Sequence, residues 1–299
     1  MDWGKRRRWL GMTRFLKLRP LCIVAVLGSC LAGRALSAAE SAESAPADSD
    51  LDHGFSDLYN LDFAGAQRDF STWEAAHPDN PIGPVSEAAG FLFSEFNRLG
   101  ILEAQFYENN DSFSARPKLA ADPALRDRFQ EAIARAENEA HSRFAKDAKD
   151  RDALFAMTLS SGLQADYAAL IEKRNLASLH YTRESSAWAA QLLEVCRDCY
   201  DVHLATGFNK YIIGSMSAPV RWLLRIGGLP GDRQGGIADL QLTAEHGRYL
   251  APFARILLAI AYVRNKDKPR AIQLLNALRG EFPANPLFSR EIARLEPRP

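Results

Sequence analysis

The feature that most constrains this chain is a helix-pair pattern that occurs twice, once near each end, with the same internal spacing. Near the C-terminus, Phe253 to Asn265 reads as a helix with apolar residues at Phe253, Ile256, Leu257, Ile260, Ala261 and Val263. The polar break Asn265-Lys266-Asp267-Lys268 follows, and Pro269 suits the first turn of a second helix, because the N–H it lacks would be unsatisfied there anyway. That second helix carries Ala271, Ile272, Leu274, Leu275 and Leu278 and stops at Pro283-Ala284-Asn285-Pro286. Near the N-terminus, Gly54, Ala66, Phe70 and Pro78 repeat the mutual spacings of Ala259, Ala271, Leu275 and Pro283. Both copies close on the same four-residue shape, since Pro78-Asp79-Asn80-Pro81 matches Pro283-Ala284-Asn285-Pro286. Two units that agree in spacing and terminator predict an array of antiparallel helix pairs.

The unit of about 34 residues resembles a tetratricopeptide (TPR) repeat. The places that pattern gives to a Leu, a small residue, a Tyr, an Ala, a bulky apolar residue and a Pro hold Leu258, Ala259, Tyr262, Ala271, Leu275 and Pro283. Arg255 stands where the first helix of such a unit usually carries Trp. The resemblance implies an all-α solenoid, without cofactor or metal, that binds a protein partner. In such proteins the first helix of each pair lines a concave face that takes an extended peptide or a partner helix. Carried over by position, the residues expected to line it are Phe55, Leu58 and Tyr59, then Leu204, Phe208 and Tyr211. In the last unit they are Phe253, Ile256, Ile260 and Arg264.

Between the end units the periodicity predicts further helices at Gly83–Tyr107, from Asp122-Pro123 to about Lys149, and at Asp152–Lys173. Two more follow at Leu176–Glu194 and Tyr200–Gly214. Gly236–His246 reads as a second helix, with Ala238 and Leu242 at the repeat's Ala and bulky places. No strand-like alternation of useful length occurs. Ser215 to Gly236 departs from the repeat. It is expected to hold a short amphipathic helix bearing Arg221, Trp222 and Arg225, followed by a Gly-rich loop. The insert lacks the phosphate-binding glycine patterns GxxxxGK[ST] and GxGxxG. Such an insert can pack, close one end of a groove, or touch a membrane surface.

The start of the chain reads differently. Met1 to Arg19 is basic and Leu21 to Gly33 is an uncharged, mostly apolar run, too short for a comfortable membrane span and suited to a secretory signal. Ser37-Ala38-Ala39 offers a cleavage site before Glu40, and Leu27-Gly28-Ser29-Cys30 resembles a lipobox in which Cys30 would be lipidated. The expected organisation is a signal over 1–39, a flexible linker over 40–50, rich in Ala, Ser, Glu and Asp, and a helical repeat domain over 51–299. Export to the bacterial envelope follows, in the periplasm or tethered to a membrane. The full chain has 37 basic and 37 acidic residues, but eight basic residues and one acid lie in the first 39. The remainder holds 29 basic and 36 acidic residues, a net charge of about −7, which argues against nucleic acid as a partner.

Cys196-Arg197-Asp198-Cys199 is the one local motif with chemical potential. In an exported chain it suits a short disulfide. A thiol oxidoreductase is the alternative reading, but it asks for this motif at a helix start in a βαβ setting. His203 could join a metal site only with a fourth ligand that the local sequence lacks. The remaining histidines form no HExxH or close pair, and no GxSxG is present, so the sequence gives no sign of an enzyme.

Overall fold

The computed structural model describes residues 46–102 and 119–296. The expected signal and the lipobox at Cys30 lie outside the described residues. Residues 43–299 cluster as one compact unit, and its core is built from its own side chains.

Twelve α-helices run through the described residues, with no strand among them. They are α1 (Pro46–Tyr59), α2 (Phe63–Ala76), α3 (Ile82–Arg98), α4 (Pro123–Phe144), α5 (Arg151–Asp166) and α6 (Asn175–Val195). Then come α7 (His203–Gly214), α8 (Ala218–Ile226), α9 (Arg233–His246), α10 (Ala251–Arg264), α11 (Lys268–Glu281) and α12 (Pro286–Leu295). A π-helical turn, Tyr167–Glu172, extends α5, and a 3-10 turn, Tyr200–Val202, precedes α7. The pairs are α1–α2, α3–α4, α5–α6, α7–α9 and α10–α11, each packed on the next, with α12 closing the array. The fold is an all-α array of helix pairs.

The helix boundaries follow from local chemistry. The carboxylates of Asp62, Asp122, Asp150, Asp232 and Asp267 each accept a backbone N–H in the first turn of the helix that follows. Those N–H groups have no partner within the helix. The repeat's small and bulky places are inner positions in both end units, since Ala66, Phe70, Ala259, Ala271 and Leu275 are all buried.

Four expectations need correction. The first helix begins at Pro46, inside the stretch expected to be a linker. The third helix ends at Arg98 rather than Tyr107, because the chain turns at Gly100 with φ +66°. In α9 the inner places belong to Gly236 and Leu240, whereas Ala238 and Leu242 face solvent. Gly236 lies against the backbone of Gly207 and Tyr211, so α7 and α9 are in backbone contact there. Finally, α12 has no counterpart among the expected helices. Its Phe288, Ile292 and Leu295 complete the core beyond the last pair.

The largest departure concerns the concave face. Phe55, Leu58 and Tyr59 are buried, and they join the first pair to the last. The Phe55 ring stacks on Tyr249 at 4.9 Å, and Tyr59 packs on Phe282 at 5.3 Å. Phe93 of α3 meets Phe253 of α10 edge to face at 5.3 Å. The ends of the array therefore pack on each other, and one core runs through α1–α5 and α10–α12. Removing these large apolar faces from water stabilises the closed form more than an open groove would.

Candidate functional site

The described surface has one element that the core does not explain. Helix α8 contains no buried residue. Trp222, Leu223 and Ile226 are 66%, 64% and 65% exposed, and Val220 and Met216 are exposed beside them. A nine-residue helix is marginal in water without an apolar face packed on something.

The sequence nevertheless specifies this helix at both ends. Pro219 sits in the first turn, where it removes no helical hydrogen bond. At the other end Leu229 N–H donates to Leu224 C=O (2.9 Å) and Gly228 N–H to Arg225 C=O (3.1 Å). Gly228 has φ +83°, a conformation that costs a residue with a Cβ far more. These are the two hydrogen bonds of a Schellman stop, and the buried Leu229 anchors it to the body. At the base, Arg221 Nη1 donates to the carbonyls of Gly214 and Met216, each at 3.3 Å, which ties α8 to the end of α7.

The two faces of α8 differ in chemistry. At 100° per residue, Trp222, Leu223, Ile226 and Val220 share one broad face, and Arg221 and Arg225, four apart, share the other. No Asp or Glu occurs in the thirty residues from Val202 to Gly231. Arg183 of α6 adds a third guanidinium, since a Cβ at Gly227 would sit 2.5 Å from its Nη2.

The other residues singled out in the sequence are placed as follows. Tyr211 is buried, like Phe55, Leu58 and Tyr59, and is not presented to a partner. Leu204, Phe208 and Phe253 are half-buried and packed on the core, and Arg264 is half-buried. Arg221 and Trp222 alone are exposed among the residues predicted to meet a partner. Cys196 and Cys199 are joined by a disulfide, with Arg151 Nη2 2.6 Å from the Cys196 Sγ. His203 lies 4.0 Å from Asp239, whose carboxylate also takes Lys210 (2.7 Å). Burial lowers the His203 pKa. Among the described residues, no three His, Cys, Asp or Glu side chains gather as metal ligands.

Two polar links escape a reading of the sequence. In both end units the Asn of the Pro-x-Asn-Pro terminator accepts the N–H two residues on, Ile82 for Asn80 (3.1 Å) and Leu287 for Asn285 (2.9 Å). Its amide then reaches a distant helix, as Asn80 donates to Asp152 (3.0 Å) and the buried Asn285 to the Tyr59 carbonyl (2.8 Å). The second link is Asp201, which accepts the backbone N–H groups of Arg248 (3.1 Å), Tyr249 (3.1 Å) and Leu250 (3.0 Å). The matching terminators are the signal for the first. No local signal marks Asp201.

No protein-family model and no curated protein matches the chain. A solved structure, that of a thermophilic TPR protein from Thermus thermophilus, is similar at 14% identity. The match covers 83% of this chain and 98% of that one, with a TM-score of 0.42.

Proposed function

We propose that this chain is a non-catalytic scaffold of helix pairs, exported to the bacterial envelope, that docks on a membrane surface through α8. The observation that carries the reading is an amphipathic helix with no buried residue and an exposed Trp222-Leu223-Ile226 face. An interfacial helix of this kind lies in the plane of the bilayer, its apolar face in the acyl boundary and its cations at headgroup level. No helix among the described residues is long and apolar enough to cross a membrane, so α8 would hold the protein on the surface. The concave-groove reading loses support from the burial of Phe55, Leu58 and Tyr59. The helix-pair surfaces away from α8 remain the place for protein partners. The apolar run at Leu21 to Gly33 and the small residues before Glu40 support export.

Co-sedimentation with vesicles tests the docking. The chain from Glu43, which contains the whole compact unit, is expected to sediment with vesicles, and Trp222→Ala with Leu223→Ser to abolish it without loss of helix content. Equal sedimentation of the two proteins would contradict the reading.

A further inference from the structure

We infer that the surface α8 meets is an anionic bilayer, whose lipid phosphates pair with Arg183, Arg221 and Arg225. The inference rests on the docking reading and adds the chemistry of the surface.

Three observations carry it. The first is the acid-free run from Val202 to Gly231, in a domain that is acidic overall. A local excess of cations on an acidic protein is the pattern expected where one patch must approach a negative surface that repels the rest. The second is that the cations of this patch are unequally engaged. Lys210 is held by Asp239 at 2.7 Å and is already neutralised. Arg221 donates to the carbonyls of Gly214 and Met216 and faces no carboxylate among the described residues. Arg183 and Arg225 are exposed, and neither forms an ion pair among the described residues. The nearest acid in sequence to Arg183, Glu184, lies 3.4 Å from His180. The third is geometry. Arg221 and Arg225 share the face of α8 turned away from Trp222, Leu223 and Ile226, and Arg183 reaches the C-terminal end of the helix. Arginine carries its charge on a long apolar stem and binds phosphate through two N–H groups at once. When the Trp222 face enters the acyl boundary, the guanidinium groups stand at phosphate depth.

The test compares vesicles of phosphatidylcholine alone with vesicles containing about one-third phosphatidylglycerol, using the chain from Glu43. Partition onto the anionic vesicles is expected to be roughly hundredfold stronger at low salt and to weaken as salt is added. Arg183→Gln and Arg225→Gln are each expected to weaken it about fivefold on anionic vesicles and to change nothing on neutral ones. These two carry the test, because Arg221 also holds the α7 end. Equal partition onto both vesicles, or indifference to both substitutions, overturns the inference and leaves the docking reading standing. No partition onto either vesicle, or partition that survives Trp222→Ala with Leu223→Ser, removes the docking reading and the inference with it.

Discussion

The phenol of Tyr59 donates a hydrogen bond to the carbonyl of Tyr249, 2.8 Å away and 190 residues later in the chain. The carbonyl of Tyr59 in turn accepts the amide of Asn285 at 2.8 Å, and Ala284 N–H reaches Asn60 Oδ1 at 3.1 Å. One turn at the end of α1 is thus tied to two turns of the C-terminal units, with the Asp52–Arg248 ion pair (3.0 Å) on the outside. An open solenoid has no use for such contacts. This array is closed.

Closure predicts an order of mutational effects. Asn285→Ala removes both the cap of α12 and the link to Tyr59, leaving buried polar groups unpaired, and is expected to cost about 2–3 kcal/mol. Tyr59→Phe removes one hydrogen bond and keeps the packing, for about 1 kcal/mol. Asn80→Ala, at the matching place in the first unit, is half-exposed and should cost about 1 kcal/mol. Urea unfolding followed by circular dichroism checks the order, and equal costs for Asn80 and Asn285 would contradict the closure account.

Gly54 lies face to face with Phe70, and a Cβ at that position would run into the fully buried ring. The ring has nowhere to go, because Phe55 packs against its edge at 5.2 Å. Gly54→Ala is therefore expected to destabilise the domain by about 1–3 kcal/mol, although alanine favours helix. A rise in thermal midpoint would show that α1 and α2 are less tightly packed than described.

The spacing of Gly54, Ala66 and Phe70 against Ala259, Ala271 and Leu275 is enough to place the end pairs, because small residues at helix contacts leave a periodic signal. The insert after α7 is also legible, from its Gly pairs and from Arg221, Trp222 and Arg225. The same insert hides the register of α9, since it breaks the repeat spacing and points to Ala238 for the inner place that Gly236 holds. Burial of Phe55, Leu58 and Tyr59 is not legible. Periodicity marks an apolar face but not what covers it, and the cover here is Tyr249 and Phe282, more than 180 residues away.

The disulfide between Cys196 and Cys199 closes a very short loop just before the turn that bears Asp201. Loop-closure entropy for so short a loop gives about 2 kcal/mol, and Cys199→Ser or reduction is expected to lose it. Vesicle binding should be unchanged, since α8 does not touch the disulfide. A loss of binding on reduction, with the fold intact, would contradict a purely structural disulfide.

Stability is expected to fall as pH rises from about 4.5 towards about 7. Partial burial, with the charge of Glu74 nearby, pushes the Glu139 carboxyl from its ordinary 4.5 up to about 7, and Arg135 opposes this. A raised pKa means that the folded protein holds the proton more tightly than the unfolded chain. The contribution is complete below about pH 4.5 and is lost by about pH 7. Glu139→Gln should remove this slope, worth about 1 kcal/mol after solvent screening. Thermal melts at pH 5 and pH 8 measure it, and an unchanged pH slope in the variant would assign the effect to other groups.

The most direct test of membrane docking is the fluorescence of Trp222 in the chain from Glu43, with vesicles containing brominated lipid. The other two tryptophans of that chain are shielded, Trp73 by burial and Trp188 by its stack with Phe144 at 5.6 Å. The account predicts strong quenching that Trp222→Phe removes, as an apolar α8 face entering the acyl boundary requires. Absent quenching, or quenching that survives Trp222→Phe, would contradict it.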